Sequence, residues 1–223
     1  MRATLTIFAF FLAVPADAGA DVAIESKPCC EEQRAAAARS PEEKVIAAIP
    51  EQAFRDRSVL WLKLDGNRSV KIVDCIAWIC STENFRRHEL VAWWPMHRVY
   101  VVDVGLSEGR GTILISEQTG QLTTVFAPPI LSPSGRHAVA ADLSPAYGSG
   151  LQIIDMGKHP PTTIEVKTMP ACPGTGQQYA LRPNPVWLDD SRIGFEGEPF
   201  FTNDDPTAKQ VLWIVDGKPE WEY

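Results

Sequence analysis

Ser107 stands in "GLSEG", Gly105 to Gly109, a literal G-x-S-x-G. In a hydrolase that pattern puts the serine on a strained turn between a strand and a helix, with its oxygen exposed. Here the following "RGTILIS" is β-like and gives a helix no place to begin. The pattern therefore reads as a polar hairpin loop, and no catalytic residue is assigned. Glu196, Glu198, Asp204 and Asp205 gather around "FFTNDD" in what reads as one loop, with oxygen ligands dense enough for calcium. Their spacing fits no calcium-loop frame, and a solvated insertion explains them more simply. His88, His97, His137 and His159 have no zinc-like spacing, and the sequence holds no C-x-x-C pair. The glycines of "YGSG" and "PGTGQQ" lack the P-loop lysine and the dinucleotide spacing. Neither a metal nor an organic cofactor is expected.

Five cysteines invite pairing if the chain is exported. Cys75 and Cys80 bracket "IAWI", and a loop that short between paired strand ends can bring two Cβ atoms within bridging distance. A Cys75–Cys80 disulfide is the expectation, worth about 2 kcal/mol; the alternative is two buried thiols. Cys29, Cys30 and Cys172 form an odd trio, in which Cys172 can reach only one of the adjacent pair. At least one cysteine lacks an intramolecular partner.

Trp93-Trp94 and Phe200-Phe201 pose a different question. Neighbours in a strand face opposite sides. Either one member of each pair reaches solvent as a contact surface, or both faces are covered by packed sheets. The second reading is favoured.

These residues must be positioned by something, and the chain divides into three parts. Residues 1–20 read as a signal peptide: Arg2, the apolar run "LTIFAFFLAV", then "ADA" or "AGA" as the cleavage site. The run is about half the length a membrane-spanning helix needs, and no cysteine marks a lipid anchor. Residues 21–50 read as a helical arm or linker, with Ser40-Pro41-Glu42-Glu43 as a helix start and Pro50 as its end. Residues 51–223 read as a β domain. There "VLWLKL" and "SVKIVD" flank Asp65-Gly66-Asn67-Arg68 as a hairpin, followed by "HELVAWW", "RVYVVDVG", "GTILIS" and "QLTTVFA". Gly120 supplies the positive φ of a tight loop. Ser132-Pro133-Ser134-Gly135-Arg136 reverses the chain, "HAVAAD" runs as a buried strand, and "LQIIDM" returns antiparallel. The same grammar recurs near the C-terminus, with Pro185 answering Pro129, Asp189-Asp190-Ser191 as the turn, and Leu212 answering Leu151. A looser copy covers about Leu90 to Val125.

These copies resemble the Ser-Pro-Asp-Gly repeats of periplasmic β-propellers, with Ser134 in place of the usual Asp and Leu188-Asp189-Asp190-Ser191 in place of the whole turn. Over roughly residues 58 to 217 the chain also resembles a group of uncharacterised exported bacterial proteins. In these, a Cys pair, a Glu-Gly and a strand ending in Thr-Gly precede the Ser-Pro turn. The resemblance implies an all-β fold, a small or partial propeller-like array of antiparallel sheets with three to four irregular blades. A β-sandwich is the alternative.

The acidic and basic residues number 28 and 21, and the net charge of −7 with no basic run argues against nucleic acid. The expectation is an exported soluble protein, periplasmic or secreted, without stable membrane insertion. Its expected role is a non-enzymatic binding or interaction module of the cell envelope, for an envelope protein, a glycan or a small ligand. The alternative is a hydrolase whose active site is assembled from loops.

Overall fold

The computed structural model describes residues 40–75, 85–107, 109–142, 150–167, 179–181, 184–199 and 208–222. The signal peptide, most of the arm, Cys29, Cys30, Cys80, Cys172, Phe200, Phe201, Asp204 and Asp205 lie outside them. No helix among the described residues is long and apolar enough to cross a membrane.

The fold is all-β, and the described residues form one short helix and four antiparallel sheets. Helix α1 (Pro41–Ala48) begins as its residues dictate. The Ser40 hydroxyl accepts from the Glu43 N–H, the Glu43 carboxylate accepts from the Ser40 N–H, and Pro41 occupies the first turn. The first sheet is β1 (Ala53–Asp56), β2 (Val59–Lys63) and β3 (Ser69–Val73), and the Asp65–Gly66 turn joins its last two strands. The second is β4 (Arg86–Trp94), β5 (Val99–Leu106), β6 (Gly109–Ser116) and β7 (Leu122–Val125). The third is β8 (Ile130–Leu131), β9 (His137–Asp142), β10 (Gly150–Asp155) and β11 (Thr162–Glu165). In the fourth, β12 (Tyr179–Leu181), β14 (Arg192–Pro199), β15 (Ala208–Val215) and β16 (Lys218–Trp221) lie in that order, and β13 (Val186–Trp187) also pairs with β14.

Each sheet packs on the next through its own hydrophobic cluster. Leu60, Leu62 and Ile72 of the first sheet meet Leu90, Tyr100 and Val102 of the second. Val99, Val101 and Leu114 of the second meet Ala138, Ala140 and Ile154 of the third. Val139, Leu151 and Ile153 of the third meet Ile193, Phe195 and Leu212 of the fourth. The alternation of strand side chains explains the sequence. In β5, Tyr100 and Val102 face one neighbour while Val99 and Val101 face the other. A sheet covered on both faces needs an unbroken apolar run, and β5 and β9 have one.

The tight turns interlock from sheet to sheet. Arg98 joins Asp65 and Glu117, and Arg68 Nη2 donates to the Gln118 carbonyl at 2.6 Å. The His97 ring lies so close to Gly135 (φ 76°) that a Cβ there would stand 2.8 Å from Nε2. The Ser134 N–H donates to Asp190 Oδ1 at 2.7 Å, and Trp187 Nε1 donates to the Ile130 carbonyl at 2.9 Å.

The contact between Ser134 and the Asp189–Asp190 turn is expected to depend on pH. Backbone donation from Ser134 lowers the Asp190 pKa, and donation from the Ser191 N–H, then Arg192, lowers Asp189 from 3.8 to about 2. Carboxylates depressed by folding stabilise above their unfolded pKa and lose that contribution as pH falls through the folded value. The Tm advantage of wild type over an Asp189→Asn/Asp190→Asn variant should therefore be full at pH 6 and shrink between about pH 4 and pH 2. An advantage that stays constant down to pH 2 would count against that dependence.

Candidate functional site

Two places among the described residues are candidates, a charged cluster and an apolar groove. The first lies where α1, β1, β4 and the end of β3 meet. Arg55 on β1 points inward beneath α1. Its Nε and Nη2 donate to the two Glu42 oxygens at 2.5 and 2.7 Å, and its Nη1 donates to Asp74 Oδ2 at 2.9 Å. Nη2 also donates to the His88 carbonyl at 2.5 Å. Asp74 Oδ1 accepts from both the backbone N–H of His88, at 2.8 Å, and its Nδ1, at 3.1 Å. Glu42 Oε1 accepts from the Leu90 N–H at 2.8 Å. Burial works against the charge on Arg55, but the hydrogen bond and charge of Glu42, then Asp74, raise its pKa.

Ser40, Asp74 and His88 line the same small cavity of about 140 Å³, so a serine, an imidazole and a carboxylate share one hollow. The composition is that of a nucleophile, a base and its orienter. The bonding is that of a clamp. The Ser40 hydroxyl is used as the helix cap, and both Asp74 oxygens and both Glu42 oxygens are spent on internal donors. Arg57 and Arg87 stand exposed at the mouth.

The second place is the outer face of the fourth sheet. Ile193, Phe195, Leu212 and Ile214 turn toward the third sheet, so Val186, Gly194, Val211 and Trp213 turn away from it. In register, Val186, Gly194 and Val211 form a row across three strands. A groove of about 480 Å³ opens beside this row, lined by Val186, Gly194, Val211, Phe195 and Leu188, which packs against Gly194, together with Asn184, Glu196, Lys209 and Gln210. Val186 is 61% and Leu188 51% exposed. The side chains are apolar at the centre and polar at the edge.

No family model matches the chain, and no curated protein matches it.

Ser107 lies exposed in the hairpin between β5 and β6, with strands on both sides; this is the polar loop its context predicts. Glu196 and Glu198 require a correction. They do not sit in a loop with Asp204 and Asp205, because β14 runs on to Pro199, held by pairing of Gly197–Pro199 with β12. Trp93 packs against the cluster facing the first sheet and Trp94 against the cluster facing the third, so both faces are covered. Cys75 exchanges both backbone hydrogen bonds with Arg86, at 2.8 and 3.0 Å. Its expected partner Cys80 lies outside the described residues. His97 packs edge-on against Trp94, and no group of three or more His, Cys, Asp or Glu residues suited to a metal occurs among the described residues.

Sequence reasoning missed both places. The clamp residues come from separate elements and share no local spacing. The groove left one trace, a glycine at an outward position inside a β run, which marks a close approach of another group.

Proposed function

We propose that the chain is an exported interaction module of the cell envelope, non-enzymatic, whose four sheets are the irregular blades of a small propeller-like array. The blade reading is supported by the connectivity: the second and third sheets are each four consecutive strands in order, and the fourth departs from that pattern only at β12 and β13. Pro129 and Pro185 each precede a two-residue strand, and Leu151 and Leu212 are each fully buried in a later one. Export rests on the N-terminal sequence. A Cys75–Cys80 disulfide belongs to the same reading, since Cys75 is not a free thiol and an exported chain meets an oxidising compartment. Alkylation of both Cys75 and Cys80 after reduction, absent before it and located by peptide mass, would identify the bridge.

The groove on the fourth sheet carries the interaction reading. An exposed apolar hollow with a polar rim has the make-up of a contact surface. The experiment is retrieval of the tagged chain from its native envelope, comparing wild type with Leu188→Glu. A defined chain retained by wild type and lost from the variant supports the reading. Nothing retained, or a reaction product in a broad hydrolase screen, overturns it.

A further inference from the structure

We propose that the occupant of the fourth-sheet groove is the outer face of the first sheet of a second copy of this chain, docked head to tail. The inference rests on the interaction reading above and names its partner.

The three sheet-to-sheet contacts follow one order: the far face of each sheet covers the near face of the next. Among the described residues the series stops at both ends with a face that no other sheet covers. On the first sheet, Leu60, Leu62 and Ile72 are turned inward, so Phe54, Trp61 and Val73 face out. Phe54 is 53% and Val73 59% exposed. No hydrophobic cluster among the described residues joins this face to the fourth sheet.

The two outer faces share an outward tryptophan under a cation, Trp61 with Lys71 and Trp213 with Arg192, and differ in the row beside it. Phe54, Trp61 and Lys71 form one row across the first sheet. The Phe54 and Trp61 rings stack at 5.5 Å and 12°, and the Lys71 ammonium sits 4.3 Å over the indole. This row is a ridge of large rigid rings. On the fourth sheet the row of Val186, Gly194 and Val211, next to Trp213, borders the groove, with Leu188 packed against Gly194. Ridge and hollow stand on opposite terminal sheets, as a continuation of the existing order requires. Two like faces would set ridge on ridge or hollow on hollow. Such a contact is heterologous and closes only if every copy's ridge finds a groove. Two copies joined at both ends would place eight sheets in one closed series.

The test is solution mass by light scattering on the purified protein. Wild type should give a discrete species of at least two copies. Phe54→Glu and Leu188→Glu, both at exposed positions and checked for native circular dichroism, should each give monomer. Mixing the two variants should restore a 1:1 pair, because the first retains an intact groove and the second an intact ridge. A wild-type monomer overturns the proposal, as does assembly that survives either substitution or a mixture that stays monomeric. If wild type is monomeric and the envelope retrieval still recovers a different chain through Leu188, the interaction reading stands and only the partner named here fails. If neither result appears, both fail.

Discussion

Arg55→Ala is expected to lower the unfolding free energy by about 3–5 kcal/mol, the cost of removing one partner from a buried ionic group. Arg55, Glu42 and Asp74 retain only 19%, 12% and 11% of their side-chain exposure, so the guanidinium is the main neutralising partner of both carboxylates. The substitution leaves Asp74 with only the His88 contacts and Glu42 with only the Leu90 N–H, and it takes the 2.5 Å donor from the His88 carbonyl. Helix α1 should suffer first. Its eight residues are too few to be helical alone, and Val45, Ile46 and Ile49 are its only apolar hold on the first core cluster. Urea unfolding should show a lower midpoint with an unchanged slope, and amides of residues 43–49 should exchange faster than those of β5. The control is Glu42→Leu/Arg55→Met/Asp74→Leu. Replacing the whole group by apolar side chains removes the stranded charges, so it should cost much less than Arg55→Ala alone. A cost below about 1 kcal/mol for Arg55→Ala would reduce the clamp to a surface ion pair.

The contrast between that clamp and the turns shows what a sequence carries. The Ser40–Glu43 capping box, the Asp65–Gly66 turn, and the positive φ of Gly120 and Gly135 were all legible, because each is settled within four or five residues. The buried strands were legible too, since "HAVAAD" and "LQIID" are apolar without a helical period. Their continuous burial reflects covering sheets on both faces, a fact that resides in other parts of the chain. Strands β1, β11 and β12 were missed for the same reason. Each is four residues or fewer and is held by register with a longer neighbour rather than by its own pattern. Glu196 and Glu198 looked like loop residues because "FEGEPFFTNDD" is polar and glycine-bearing; the pairing that makes them strand comes from β15, opposite Glu196, and from β12, opposite Glu198. Arg55 reads locally as a charged residue in "FRDR". Nothing near it announces Glu42, Asp74 or His88. The groove is an intermediate case: Gly194 was visible, while the walls that make it a hollow arrive from β13 and β15.

The second large effect tests whether the sheets behave as separable layers. Phe195 is 2% exposed and packs edge-on to Trp221 at 5.5 Å, in the cluster that holds the fourth sheet to Val139, Leu151 and Ile153 of the third. Phe195→Ala removes the ring and leaves a cavity, for an expected loss of about 3–5 kcal/mol. Because the other two clusters contain no residue of the fourth sheet, the loss should be local before it is global. In native-state hydrogen exchange, amides of β14, β15 and β16 should lose protection while those of β5 and β6 keep theirs. Leu62→Ala, at a fully buried position in the first cluster, should give the mirror image: β1 to β3 loosen and the fourth sheet does not. Phe195→Leu, which refills most of the volume, should recover most of the loss. The two outcomes together separate a chain of nearest-neighbour layers from a single cooperative core. If both substitutions lower protection in β5 and β14 by equal amounts, the sheets unfold as one body, and the layer-by-layer account is wrong. If the effects divide as described, each terminal sheet is stabilised on one face only, which is the condition that makes its outer face available to a partner.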